Sequence, residues 1–170
     1  MNYRHAFHAG NFADVVKHAV LVRILVHLRE KPAPFRVIDT HAGAGSYDLA
    51  GEEARRSGEW RDGIDRLVRA PIAARARALL APYLDAVAAC NGAGRLTAYP
   101  GSPALARAFL RAQDRLIACE LEPNAAAALA RNLAGEEAQR SGEWRDGIDR
   151  LVRSSPPIST RSPPATAPEG

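Results

Sequence analysis

Arg36-Val37-Ile38-Asp39-Thr40-His41-Ala42-Gly43-Ala44-Gly45-Ser46-Tyr47 is the stretch whose reading decides the fold. A short apolar run ends in an acid and then breaks into a glycine-rich turn. Val37 and Ile38 suit a buried strand, with Pro34 before it and Gly43 after it. Gly43 and Gly45 permit backbone conformations and close ligand approach that a Cβ would obstruct. An α/β domain makes its nucleotide site in this way, at the carboxyl end of its first strand. The pattern is G-x-G without a third glycine, so the flanking chain has to decide which nucleotide is meant.

A chain of 170 residues suits about one domain with a real core, and a 46% apolar fraction agrees with that. The formal charge is +4, carried almost wholly by arginine. Arginine suits phosphate pairing and base stacking, which makes RNA or DNA a reasonable partner; a solvated basic surface is the plainer alternative. Cys90 and Cys119 lie far apart without ligand spacing and read as buried thiols in a reducing compartment. No apolar run reaches the roughly 18 residues of a membrane span, and no signal-peptide pattern opens the chain. The expectation is a cytoplasmic protein that binds no metal.

Outward from the turn, the amino-terminal segment packs Tyr3, Arg4, His5, Phe7 and His8 together. It reads either as an arm that stacks on bases or as an arm tucked against the domain. Asn11 or Asp14 can cap a helix over 13–30, with Val16, Ala19, Val20, Ile24 and Leu28 as its apolar stripe. His18 lies beside that stripe, where a lone histidine is usually structural. After the turn, 47–98 offers little strand character. A charged segment is expected to be helical after Gly58, and a second helix covers 71–90 with Pro82 inside it. Asn91-Gly92-Ala93-Gly94 marks a turn. Ser102 as N-cap with Pro103 at the first helical position starts a helix running to about Gln113. Leu116-Ile117-Ala118-Cys119-Glu120 is a second strand ending in an acid, and a third helix covers 123–133. In a dinucleotide fold such an acid holds ribose hydroxyls about 20 residues after the glycines. Glu120 comes 75 residues after Gly45, which requires a helical insertion between the strands.

The last third is anomalous. Residues 50–69, AGEEARRSGEWRDGIDRLVR, recur at 134–153 with one difference in 20 positions, Arg55 against Gln139. Structural repeats come as several diverged copies, so a single near-perfect copy reads as a recent duplication or an assembly artefact. The two copies cannot fill the same niche. Residues 154–170, rich in proline and serine, read as a disordered tail.

The segments NYRHAFHAGNFADVVKH, IDTHAGAGSYDL, YPGSPALARAFLR and ACELEP resemble, in order and spacing, the bacterial large-subunit ribosomal RNA adenine-N6 methyltransferase family J. The resemblance covers about residues 1–133. It implies an α/β fold: an incomplete Rossmann-like methyltransferase domain, residues 1–46 and 99–153, interrupted by a helical insertion subdomain at 47–98. It also implies S-adenosylmethionine as cofactor and N6 of an adenine in 23S ribosomal RNA as the methyl acceptor. Matched by motif, His18, His41, Ser102 and Glu120 become cofactor-binding residues and Tyr3 a contact to substrate RNA. His18 thereby moves from a structural to a ligand role. Asp146-Gly147 matches, through the duplicated block, an Asp-Gly pair that contacts the cofactor's adenine.

The family's acceptor motif, Asp-Pro-Pro-Tyr, is absent from these residues. That motif accepts hydrogen bonds from a weakly nucleophilic amine and stacks on the extruded base. The expectation is therefore a C-terminally truncated, inactive member with no catalytic residue to assign. The competing readings are a non-catalytic RNA- or cofactor-binding remnant and a nicotinamide-dependent oxidoreductase. The missing glycine and the long gap to Glu120 count against the latter.

Overall fold

A computed structural model describes residues 4–92 and 95–133. It is a mixed α/β structure. A 3-10 turn, His5–Phe7, leads into helix α1, Phe12–Arg29, and strand β1, Arg36–Asp39. Strand β2, Ser46–Asp48, is followed by α2, Glu52–Ser57, a π-helical turn, Arg61–Asp65, α3, Arg66–Arg69, and α4, Ala74–Ala89. Strand β3, Ala98–Pro100, α5, Ser102–Ala108, β4, Arg115–Ala118, and α6, Pro123–Asn132, complete it. Tyr3, Asp146, Gly147, the second copy of the repeat and the expected tail lie outside the described residues.

Strands β1 and β4 pair in parallel, Arg36 opposite Arg115 through Asp39 opposite Ala118. Two bonds extend the ladder beyond the strand ends. Cys119 N donates to Asp39 O at 2.8 Å, and Ala42 N donates to Cys119 O at 2.9 Å. Strands β2 and β3 form a separate antiparallel ribbon, with Tyr47 opposite Tyr99. This ribbon departs from the sequence expectation, which saw little strand in 47–98. Each strand is only three residues long, too short for alternation to register. Asn91 anchors the ribbon's return. Its side-chain oxygen accepts the Thr97 and Ala98 amides at 2.7 and 2.8 Å, and its Nδ2 donates to the Val87 and Ala98 carbonyls.

Helix α1 starts where expected, with Asn11 Oδ1 accepting the Asp14 amide at 3.0 Å. Its buried face is a different one. Asp14, His18, Val22 and Leu25 face inward, whereas Val16, Val20 and Ile24 are each about half exposed. The helix is apolar on more than one side, so spacing alone could not choose between faces. Two polar residues with internal partners mark the true one.

Four other expectations shift. Helical structure also precedes Gly58, which ends α2 in the left-handed conformation at φ +67°. Helix α5 stops at Ala108 instead of Gln113. Ile38 is 48% exposed, because β4 is the sole strand pairing with β1 among the described residues. Cys90 is exposed, while Cys119 is buried.

Val22, Leu25, Leu49, Ile64, Tyr83, Val87, Tyr99 and Leu105 form the core between α1, the ribbon, α4 and α5. Each large apolar side chain buried this fully contributes roughly 1.5–3 kcal/mol. The first copy of the repeat fills a niche against the amino-terminal segment. Ile64 N donates to Gly10 O at 2.9 Å, and a Cβ on Gly63 would run into Gly10 O. Glu59 accepts from Asn11 Nδ2 at 2.9 Å and meets His8 Nδ1 at 3.0 Å.

Candidate methyl-donor site

The carboxyl ends of β1 and β4 lie side by side, and the 40–45 turn wraps over them. Asp39 ends β1, and its two oxygens have separate tasks. Oδ1 accepts the His41 amide at 3.2 Å, and Oδ2 accepts the Ser102 hydroxyl at 2.6 Å. Glu120, just past β4, accepts the Gly43 amide at Oε2 and the Glu122 amide at Oε1, both at 2.8 Å. The turn is thus tied to both strand ends through carboxylates.

Four successive amides of the turn are consumed internally. His41 N goes to Asp39, Ala42 N to the Cys119 carbonyl, Gly43 N to Glu120, and Ala44 N to the Tyr47 hydroxyl at 3.2 Å. A phosphate cradle needs such amides free. This turn instead presents carboxylate oxygens. Glu120 receives one backbone donor on each oxygen, and a carboxylate has capacity for about four. Room remains for two hydroxyl donors.

Gly43 and Gly45 are both left-handed, at φ +62° and +79°. What requires glycine at 43 is internal. A Cβ there would land on the Tyr47 hydroxyl, so the close approach expected of a ligand is made by a tyrosine. At 45 the neighbour is Leu129 Cδ1, at 3.1 Å from a would-be Cβ. Asn132 Nδ2 donates to Ala44 O at 2.7 Å, so α6 braces the same turn.

The bonds to Asp39 and Glu120 therefore bring the segments that carry Ser102, His41 and Glu120 together. Ser102 is not the expected N-cap. Gly101, not Ser102, occupies the N-cap of α5 and makes no side-chain cap, which frees the Ser102 hydroxyl to reach Asp39. His41 is exposed, with its Nδ1 3.0 Å from Thr40 Oγ1. The first amides of α6 offer no anion site, because Glu122 accepts those of Asn124 and Ala125.

His18 stands apart from the turn. It is 1% exposed, and its Nδ1 lies 2.8 Å from the hydroxyl of Tyr99, whose own neighbour is Tyr83 at 3.0 Å. Tyr99 begins the Tyr99-Pro100-Gly101-Ser102 passage, so His18 supports the Ser102 arm from beneath. Burial holds the imidazole neutral, with a pKa near 4 despite the opposing pull of Asp14. Asp14 is itself 2% exposed. Burial pushes its carboxyl up, but bonds from His5 and Lys17 outweigh that and hold it well below the usual range. Asp14 and the two tyrosines were not singled out for a site role by sequence. Asp14 sits one turn before His18, which was the signal available.

The residues 32–135 match the model of the family described as ribosomal RNA large subunit methyltransferase D, RlmJ. The chain belongs to this family. It is 43% identical over 161 residues to ribosomal RNA large subunit methyltransferase J of Escherichia coli K12, and 35% identical over 162 residues to that of Haemophilus influenzae. Each alignment takes in 95% of this chain and 56% of the relative, so the chain spans about half the length of these curated RlmJ relatives. A crystal structure of a Legionella pneumophila protein superposes with a TM-score of 0.70 at 33% identity, over 88% of this chain and 54% of that one. Among the described residues no helix is long and apolar enough to cross a membrane, and no group of three metal-ligating side chains occurs.

Proposed function

We propose that these residues are the methyl-donor half of an S-adenosylmethionine-dependent methyltransferase of Rossmann-like fold, acting in the cytoplasm on N6 of an adenine in 23S ribosomal RNA. The division of labour follows the expected boundaries. Residues 1–46 and 99–153 supply the donor domain, and 47–98 form the helical insertion carried on it.

The observation that carries this reading is the turn whose 41–44 amides are already bonded and whose strand-end acids, Asp39 and Glu120, flank it. A nicotinamide dinucleotide brings a pyrophosphate, which would meet Asp39 and Glu120 while the 41–44 amides that could offset the repulsion are already bonded. S-adenosylmethionine brings a ribose diol and a cationic sulfonium, both of which suit acidic surroundings. Glu120 has acceptor capacity left for the diol. The Asp39–Ser102 pair and exposed His41 stand beside it as further polar partners. When bound, the cofactor supplies an activated methyl group. The chain's own residues bind and orient it.

The family relationship favours this reading over a non-catalytic remnant or an oxidoreductase. Its test is a pair of equilibrium titrations on the 170-residue chain. S-adenosylmethionine should bind saturably and NADH should not; the reverse preference sinks the reading.

A further inference from the structure

A hydrogen-bonded chain of three buried side chains crosses three elements. Tyr83 belongs to α4, Tyr99 to β3 and His18 to α1. Their exposures are 1%, 0% and 1%. Tyr83 Oη lies 3.0 Å from Tyr99 Oη, and Tyr99 Oη lies 2.8 Å from His18 Nδ1. The rings of His18 and Tyr99 also stack, with centroids 5.5 Å apart.

Counting protons gives the chain a direction. Among the described residues Tyr83 Oη has no hydrogen-bond partner except Tyr99. If His18 carried its proton on Nδ1, Tyr99 would accept it and donate onward to Tyr83. The Tyr83 proton would then be stranded in a dry site, a costly arrangement for a buried donor. In the other direction every proton is used: Tyr83 donates to Tyr99, and Tyr99 donates to Nδ1. The imidazole, neutral at this depth, must then hold its proton on Nε2. That nitrogen has no hydrogen-bond partner among the described residues.

We propose that Tyr83 and Tyr99 are positioning residues that lock His18 as its Nε2–H tautomer, a neutral donor kept for an acceptor oxygen of the bound methyl donor. The second half of this statement rests on the function proposed above. It makes the helical insertion, through Tyr83, part of the donor site without touching the ligand. A donor at Nε2 fits a carboxylate or carbonyl acceptor. The opposite tautomer would leave a bare nitrogen lone pair facing that oxygen.

The test is a long-range proton–nitrogen correlation spectrum of the histidine rings in the full chain, labelled with nitrogen-15. For His18 the wild type should show a protonated Nε2 and a bare Nδ1. Tyr99→Phe, which removes only the hydroxyl, should raise the Nδ1-protonated form about tenfold, the equilibrium factor of one ordinary hydrogen bond. Tyr83→Phe should move the balance the same way by less, and guards against a Tyr99→Phe protein that does not fold. A wild-type Nδ1–H form overturns the proposal, as does a folded Tyr99→Phe protein with an unchanged ring spectrum. Adding S-adenosylmethionine should shift the Nε2 resonance. Binding that leaves Nε2 unmoved overturns the donor role. If the cofactor does not bind while Nε2–H persists, the tautomer assignment is upheld and the functional reading fails instead.

Discussion

The Ser102 hydroxyl donates to Asp39 Oδ2 at 2.6 Å, joining the start of α5 to the end of β1 across 63 residues of sequence. The bond aligns two chain segments of the proposed donor site. Ser102→Ala should cost about 1.5 kcal/mol, the low end for a bond to a charged group, because the pair is only part-buried. Urea unfolding measures it. An unchanged midpoint would show that water replaces the hydroxyl at no cost.

Gly43 and Tyr47 should be energetically coupled. Gly43→Ala places a methyl group on the Tyr47 hydroxyl in a backbone already at φ +62°. The expected loss is about 1–3 kcal/mol. Tyr47→Phe removes the clashing oxygen, so the double variant should lose less than the two single losses added. Strict additivity in a double-mutant cycle would contradict the contact.

The buried His18 makes stability depend on pH with a definite sign. Its folded pKa near 4 is below the unfolded value of 6.5, so between those values the unfolded chain binds more protons. Stability is therefore full above about pH 6.5 and falls as pH drops toward 4. The drop is about 3 kcal/mol if the whole shift is expressed. Asp14, Lys17 and His5 surround the group, and Asp14 loses stability in the same direction at still lower pH. Thermal melts of the wild type and His18→Gln across pH 4–7 test this. The variant should show the shallower slope, and parallel profiles would refute it.

The two copies of the repeat should not be equivalent. Ile64 is 0% exposed in the niche beside Gly10, and Ile64→Ala should cost about 2–5 kcal/mol. The identical change at Ile148 removes nothing from that niche. Equal losses, measured by chemical unfolding, would mean that the second copy has a core role of its own.

The sequence disclosed those parts of the candidate site's geometry that local chemistry marks. Asp39, the two glycines and Glu120 stand at strand ends, where acids and turns are legible from a short window. The Ser102 signal suggested a cap that Gly101 occupies instead, since a serine before proline looks like a cap whether or not its hydroxyl is used as one. The buried face of α1 was not legible. Val16, Val20 and Ile24 have helical spacing as good as Val22 and Leu25, and what selects the face is a partner 81 residues away, Tyr99 on His18. The β2–β3 ribbon was missed because three-residue strands have no period to read. The spent amides of the 41–44 turn are a tertiary fact, visible once Cys119 and Glu120 stand beside them.

The most direct test of the central claim is an amide proton–nitrogen spectrum of the chain titrated with S-adenosylmethionine. The account predicts saturable shifts concentrated around His18, at 41–45, at Gly101 and Ser102, and at 119–121, and their loss in Glu120→Ala. A folded protein whose spectrum is unmoved by the cofactor, or whose shifts fall outside those segments, would contradict it.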